Sequence, residues 1–150
     1  MSADILYILY AIIGGVMSVA ALLGYTKVAK RLHDRKRYQL DQLREYHARL
    51  KIVLSELLAK ANEVDQQAKY LGESAHRHTE ELKNACDRLL ALTDALPVIE
   101  KTLDEKNLTA SRQMLHESTN IAHHVSTQLD ALLQSEHKLI TRKDKGDEKV

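Results

Sequence analysis

Residues Leu40 to Leu103 read LDQLREYHARLKIVLSELLAKANEVDQQAKYLGESAHRHTEELKNACDRLLALTDALPVIEKTL. One series spaced by seven runs Leu40, His47, Leu54, Ala61, Ala68, Ala75, Leu82, Leu89, Leu96 and Leu103. A second, offset by three, runs Leu43, Leu50, Leu57, Val64, Leu71, His78, Ala85, Leu92 and Ile99. Side chains spaced this way fall on one stripe of a helix, and an apolar stripe of this length calls for other helices to cover it. The expected fold is all-α, with a long heptad-repeat coiled-coil helix over 40–103. Its candidate seam is Leu43, Leu50, Leu54, Leu57, Val64, Leu71, Leu82, Leu89, Leu92 and Leu96. His47 and His78 are the polar exceptions, and a polar core residue can fix register or oligomer number at some cost in stability.

Composition agrees with helix. The chain has one proline, no Phe and no Trp, and beyond Tyr25 its only glycines are Gly72 and Gly146. A compact sheet domain would draw on more β-branched and aromatic residues. The heptad phase slips at 104–107 and resumes as Leu108, Leu115, Ala122 and Leu129, with Ser111, Ser118, Val125, Leu132 and Leu139 beside them. A shorter C-terminal helix over 108–140 is expected, with Asn107 or Thr109 as its cap and a polar tail over 141–150.

Two shapes satisfy this pattern, a rod or an antiparallel bundle. In the rod, one nearly continuous helix runs to about residue 95 and associates with copies of itself. In the bundle, turns near Gly72 to Ser74 and near 94–107 separate helices over 27–71, 74–94 and 105–140. Gly72 would then be a helix stop and Ser74 an N-cap. The unbroken phase through Gly72 favours a long helix followed by a shorter one that folds back over it. Pro97 would cost about 3 kcal/mol inside a helix, so a helix boundary capped by Thr93 or Asp94 is expected there.

Upstream, residues 1–4 are a short N-terminus and 5–26 a transmembrane helix. Ile5 to Tyr25, ILYILYAIIGGVMSVAALLGY, carries no charge. At about 1.5 Å per residue it is roughly 32 Å long, enough to cross a bilayer core. A cleaved signal peptide would need a basic n-region, which is lacking, and a shorter apolar core. Tyr7 and Tyr25 suit the two interfacial belts. Ala11, Gly14, Gly15, Ser18 and Ala21 form a stripe of small side chains on which a second span could pack closely.

Residues 27–39 form a basic juxtamembrane helix containing Lys27, Lys30, Arg31, Arg35, Lys36 and Arg37. These cations expect anionic lipid headgroups. The positive-inside rule puts the N-terminus outside and the rest in the cytoplasm, at the cell inner (plasma) membrane.

No catalytic, cofactor or metal constellation emerges, so an enzyme is not expected. The eight histidines include no i, i+4 pair with a flanking glutamate. Cys86 is the single cysteine and forms no disulfide within the chain. Asn107-Leu108-Thr109 matches a glycosylation acceptor but falls on the cytoplasmic side. Glu56 with Lys60 and Glu73 with Arg77 read as a solvated helix surface. The leading expectation is a membrane-anchored, cytoplasm-facing scaffold or accessory subunit. Its partners would be itself, as a homo-oligomer, or another membrane or membrane-associated protein. Neither nucleic acid nor a small-molecule substrate is expected. The alternative is a small membrane effector (a toxin, holin-like or channel-associated subunit) acting through assembly of its span.

Overall fold

A computed structural model describes residues 3–147, all but a few of them helical. Helix α1 spans Ala3–Leu71, α2 His76–Thr102 and α3 Leu108–Asp147. A 3₁₀ turn, Gly72–Ala75, joins the first two, and another, Glu105–Asn107, precedes the third. No strand occurs among the described residues. The chain divides into two compact units, one up to Gln39 and one from Leu40 onward.

The first unit is the N-terminal part of α1. From Ile5 to Tyr38 every side chain is exposed. The second unit contains three helices: α1 from Leu40, α2 and α3. Lys60 Nζ bonds Asp130 Oδ1 at 2.9 Å, and Lys143 Nζ donates to the Tyr70 carbonyl at 3.4 Å. Positions on α1 and α3 therefore advance together, and these two helices are parallel. His78 meets Ser135 at 3.0 Å while Gln128 reaches the Glu81 carbonyl at 3.3 Å, so α2 runs against α3. The result is an up-down-up bundle.

Its core draws on all three helices. Leu43, Leu50, Leu54, Leu57 and Val64 come from α1, and Leu82, Leu89, Leu92, Leu96 and Ile99 from α2. Leu115, Ala122, Val125, Leu129 and Leu132 complete it from α3. Burying a leucine-sized side chain is worth about 1.5–3 kcal/mol, which makes this shared core the main force holding the bundle closed.

The preferred continuous helix to about residue 95 is corrected. The chain reverses at Gly72, whose φ of +60° is the only positive one among the described residues. A side chain there would meet no atom within 4 Å, so glycine is required for backbone conformation and not for space. The seven-residue spacing survived the reversal because Leu71 and Ala75, both buried, flank the turn four residues apart. That is the same step a continuous helix would take between adjacent seam positions. The side chain of Ser74, the expected N-cap, lies outside the described residues; α2 begins instead at His76, after Ala75.

Pro97 is a second correction. It lies inside α2, five residues short of its end, and no boundary occurs at Thr93 or Asp94. The ring is exposed, so only the missing backbone bond and local crowding count against it. Leu96 and Ile99 on either side are both buried. Two such side chains outweigh a proline cost of about 3 kcal/mol. Helix α2 instead ends at Thr102, and at the following Leu103 ψ swings to 81°.

Asp104 then adopts an extended conformation, and its carboxylate accepts the Glu105 N–H at 2.7 Å. The Asn107 N–H donates to the Asp104 carbonyl at 3.0 Å. Asp104 thus caps the 3₁₀ turn that leads into α3, and Thr109 lies inside α3 rather than at its cap. Ser111 Oγ donates to the Thr102 carbonyl at 2.8 Å, satisfying one of the terminal acceptors of α2.

Candidate functional site

In the first unit, Ile5–Tyr25 is both apolar and exposed along its whole length. Its most apolar 18-residue window has a mean hydropathy of 2.3, with none of it buried. A helix this long and apolar can cross a membrane. The small residues Ala11, Gly14, Gly15, Ser18 and Ala21 are all exposed. Side chains added at Gly14 or Gly15 would meet no atom within 4 Å. Ser18 Oγ donates to the Gly14 carbonyl at 2.8 Å, and Thr26 Oγ1 to the Leu23 carbonyl at 2.9 Å. Those hydroxyls are satisfied by their own helix, which would lower the cost of taking them into hydrocarbon. Lys27, Lys30, Arg31, Arg35, Lys36 and Arg37 follow directly and are exposed.

In the second unit, all ten candidate seam residues are buried: Leu43, Leu50, Leu54, Leu57, Val64, Leu71, Leu82, Leu89, Leu92 and Leu96. They face one another inside one chain, so the face read as a surface for association is largely used internally. His47 is buried as well, and its Nε2 donates to the Leu96 carbonyl at 2.9 Å. That bond ties α1 to α2 beside Pro97. His78 is half-buried and bonds Ser135 through Nε2, while its Nδ1 is buried with no hydrogen-bond partner.

Glu136 is the residue the sequence reading missed. Its side chain is 0 % exposed, and neither carboxylate oxygen has a hydrogen-bond partner. The signal was present, since seven residues beyond Leu129 in the C-terminal series is Glu136. Burial pushes its carboxyl up to about 7, with the Asp65 carboxylate adding to the effect. Asp65 itself is bonded to Lys69 at 2.8 Å.

Cys86 is half-buried, and burial raises its thiol above the usual range, with Asp65 and then Asp87 contributing. A thiol of that kind is a poorer nucleophile at neutral pH. Among the described residues no group of three or more His, Cys, Asp or Glu side chains is placed to hold a metal ion. A groove of about 310 Å³ between α1 and α3 is lined by Tyr46, Arg49, Leu50, Val53, Thr119, Ala122, His123 and Ser126. Its one formally charged side chain, Arg49, is paired with Glu45 on its own helix.

No protein family, curated protein or solved structure matches this chain.

Proposed function

We propose that this protein is a single-pass membrane-anchored scaffold or accessory subunit. Its N-terminus lies outside, and the three-helix unit lies at the cytoplasmic face of the inner (plasma) membrane. The observation that carries this reading is the uncharged, wholly exposed Ile5–Tyr25 segment joined directly to a run of six cations. Exposed apolar surface of this extent is stable in lipid and not in water. The positive-inside rule supplies the orientation, and anionic headgroups beside the cations add about 1 kcal/mol each.

The small stripe Ala11, Gly14, Gly15, Ser18 and Ala21 is the packing face for a second span, from another copy or from another membrane protein. The heptad pattern over 40–103 is a coiled-coil-like seam satisfied within the chain. Assembly therefore runs through the span and the outer faces of the bundle. Cells expressing single-cysteine variants test the topology: Ser2→Cys or Lys145→Cys, each in a Cys86→Ser background. The protein should resist alkaline extraction from membranes. A membrane-impermeant maleimide should label position 2 in intact cells and position 145 only after lysis. Release by alkali, or the reverse labelling pattern, would overturn the reading.

A further inference from the structure

Among the described residues, the buried polar atoms that lack partners are Gln67 Oε1, His78 Nδ1, Gln128 Oε1 and both oxygens of Glu136. Most lie toward the end of the bundle nearest the Gly72 turn. The pairs Lys60–Asp130 and Tyr70–Lys143 place position 136 level with about residue 65 on α1. The His78–Ser135 bond places it level with the start of α2. At this level α1 and the turn after it present the small Ala61, Ala68 and Ala75 beside Val64 and Leu71, so the seam facing α3 is thinner here than in the leucine-rich middle of the bundle. Past Leu132, α3 has no fully buried apolar residue among those described. The opposite end differs, because there the buried His47 and Ser111 both have carbonyl partners.

A carboxylate without hydrogen bonds in such a place has a large desolvation cost. At this level α1 contributes Asp65 with its partner Lys69, and α2 contributes His78 and, further along, Cys86. Asp65 is an anion, so it opposes a second negative charge. Lys69 is already engaged by Asp65, and His78 directs Nε2 to Ser135.

We propose that Glu136 is a pH latch: protonated, it keeps the last part of α3 seated, and its ionisation releases α3 from about Leu133 onward. The Gly72 end then opens locally while the leucine-rich remainder stays packed. This inference rests on the bundle alone and stands whether or not Ile5–Tyr25 spans a membrane.

Hydrogen exchange read by mass spectrometry on the full chain in micelles tests it, at pH 5.5 and 8.0. Rates are corrected for the intrinsic pH dependence of amide exchange. A carboxyl moved from its ordinary value of 4.5 to about 7 makes the opening of residues 133–142 rise about 30-fold across that interval. Glu136→Gln, which cannot ionise, should abolish the rise, while α1 and the middle of α2 hold their protection. Asp65→Asn keeps the carboxyl and should move the midpoint to lower pH. The latch is overturned by an unchanged response in Glu136→Gln or by no response in the parent. A uniform response across all three helices, or a midpoint indifferent to Asp65→Asn, would equally overturn it.

Discussion

Replacing Gly72 by alanine isolates the one backbone position on which the hairpin between α1 and α2 depends. The φ of +60° there is strained for any L-residue, at about 1–2 kcal/mol. Packing adds nothing, since a Cβ would meet no atom within 4 Å. Alanine also restricts the unfolded chain, returning about 0.4–1 kcal/mol. The net loss is about 1 kcal/mol. With a urea dependence of about 2 kcal/mol per molar, the unfolding midpoint should fall by about half a molar. The assay is far-UV circular dichroism of the full chain in micelles, with light scattering on the same samples. Gly72→Asn should cost less, because asparagine enters the left-handed region more readily. A Gly72→Ala protein as stable as the parent would refute the reasoning. It would mean that α1 continues through this position in solution. Dimers appearing in the variant are the expected by-product, since straightening the turn exchanges one chain's α2 for another's.

Truncating Leu89, 1 % exposed, to alanine should destabilise the bundle by about 2–5 kcal/mol. Leu90→Ala, at a side chain 61 % exposed, should stay within about 0.5 kcal/mol in the same urea titration. The Glu136 carboxyl is raised in the folded state, so the folded protein holds its proton longer than the unfolded chain does. Its contribution to stability should therefore be complete below about pH 4.5 and be lost as pH rises through about 7. The total loss attributable to this group is about 3 kcal/mol, and Glu136→Gln should flatten that limb of the melting profile. The Cys86 thiol, raised by burial and by Asp65 and Asp87, should alkylate with iodoacetamide at pH 8 more slowly than a free cysteine. Urea should restore the ordinary rate.

The residues that would be buried were legible in the spacing of seven, because burial on a helix depends only on which face a residue occupies. The connection was not legible, because the Leu71 to Ala75 interval is the same whether the chain continues or reverses. What distinguished the two was Gly72. Glycine tolerates a helix interior at about 1 kcal/mol as well as it supplies a stop, so its identity alone did not decide. Pro97 misled for the opposite reason. Its local cost was weighed alone, and not against the burial of Leu96 and Ile99 that the spacing of seven already implied. Glu136 was missed because the C-terminal series was followed only while it stayed apolar. The Ile5–Tyr25 segment needed no tertiary information, since length and lack of charge are themselves the signal.

The up-down-up order has a consequence for how the protein is made. The core faces of α1 and α2 leave the ribosome before Leu115, Ala122, Val125, Leu129 and Leu132 exist to cover them. Until α3 arrives, the hairpin carries an open apolar trough that fits a helix of one direction, parallel to α1. The nascent chain is thus receptive, for the time taken to synthesise α3, to any helix that imitates it. A chaperone or an assembly partner has its natural opportunity in that interval, before the protein's own last helix closes the trough.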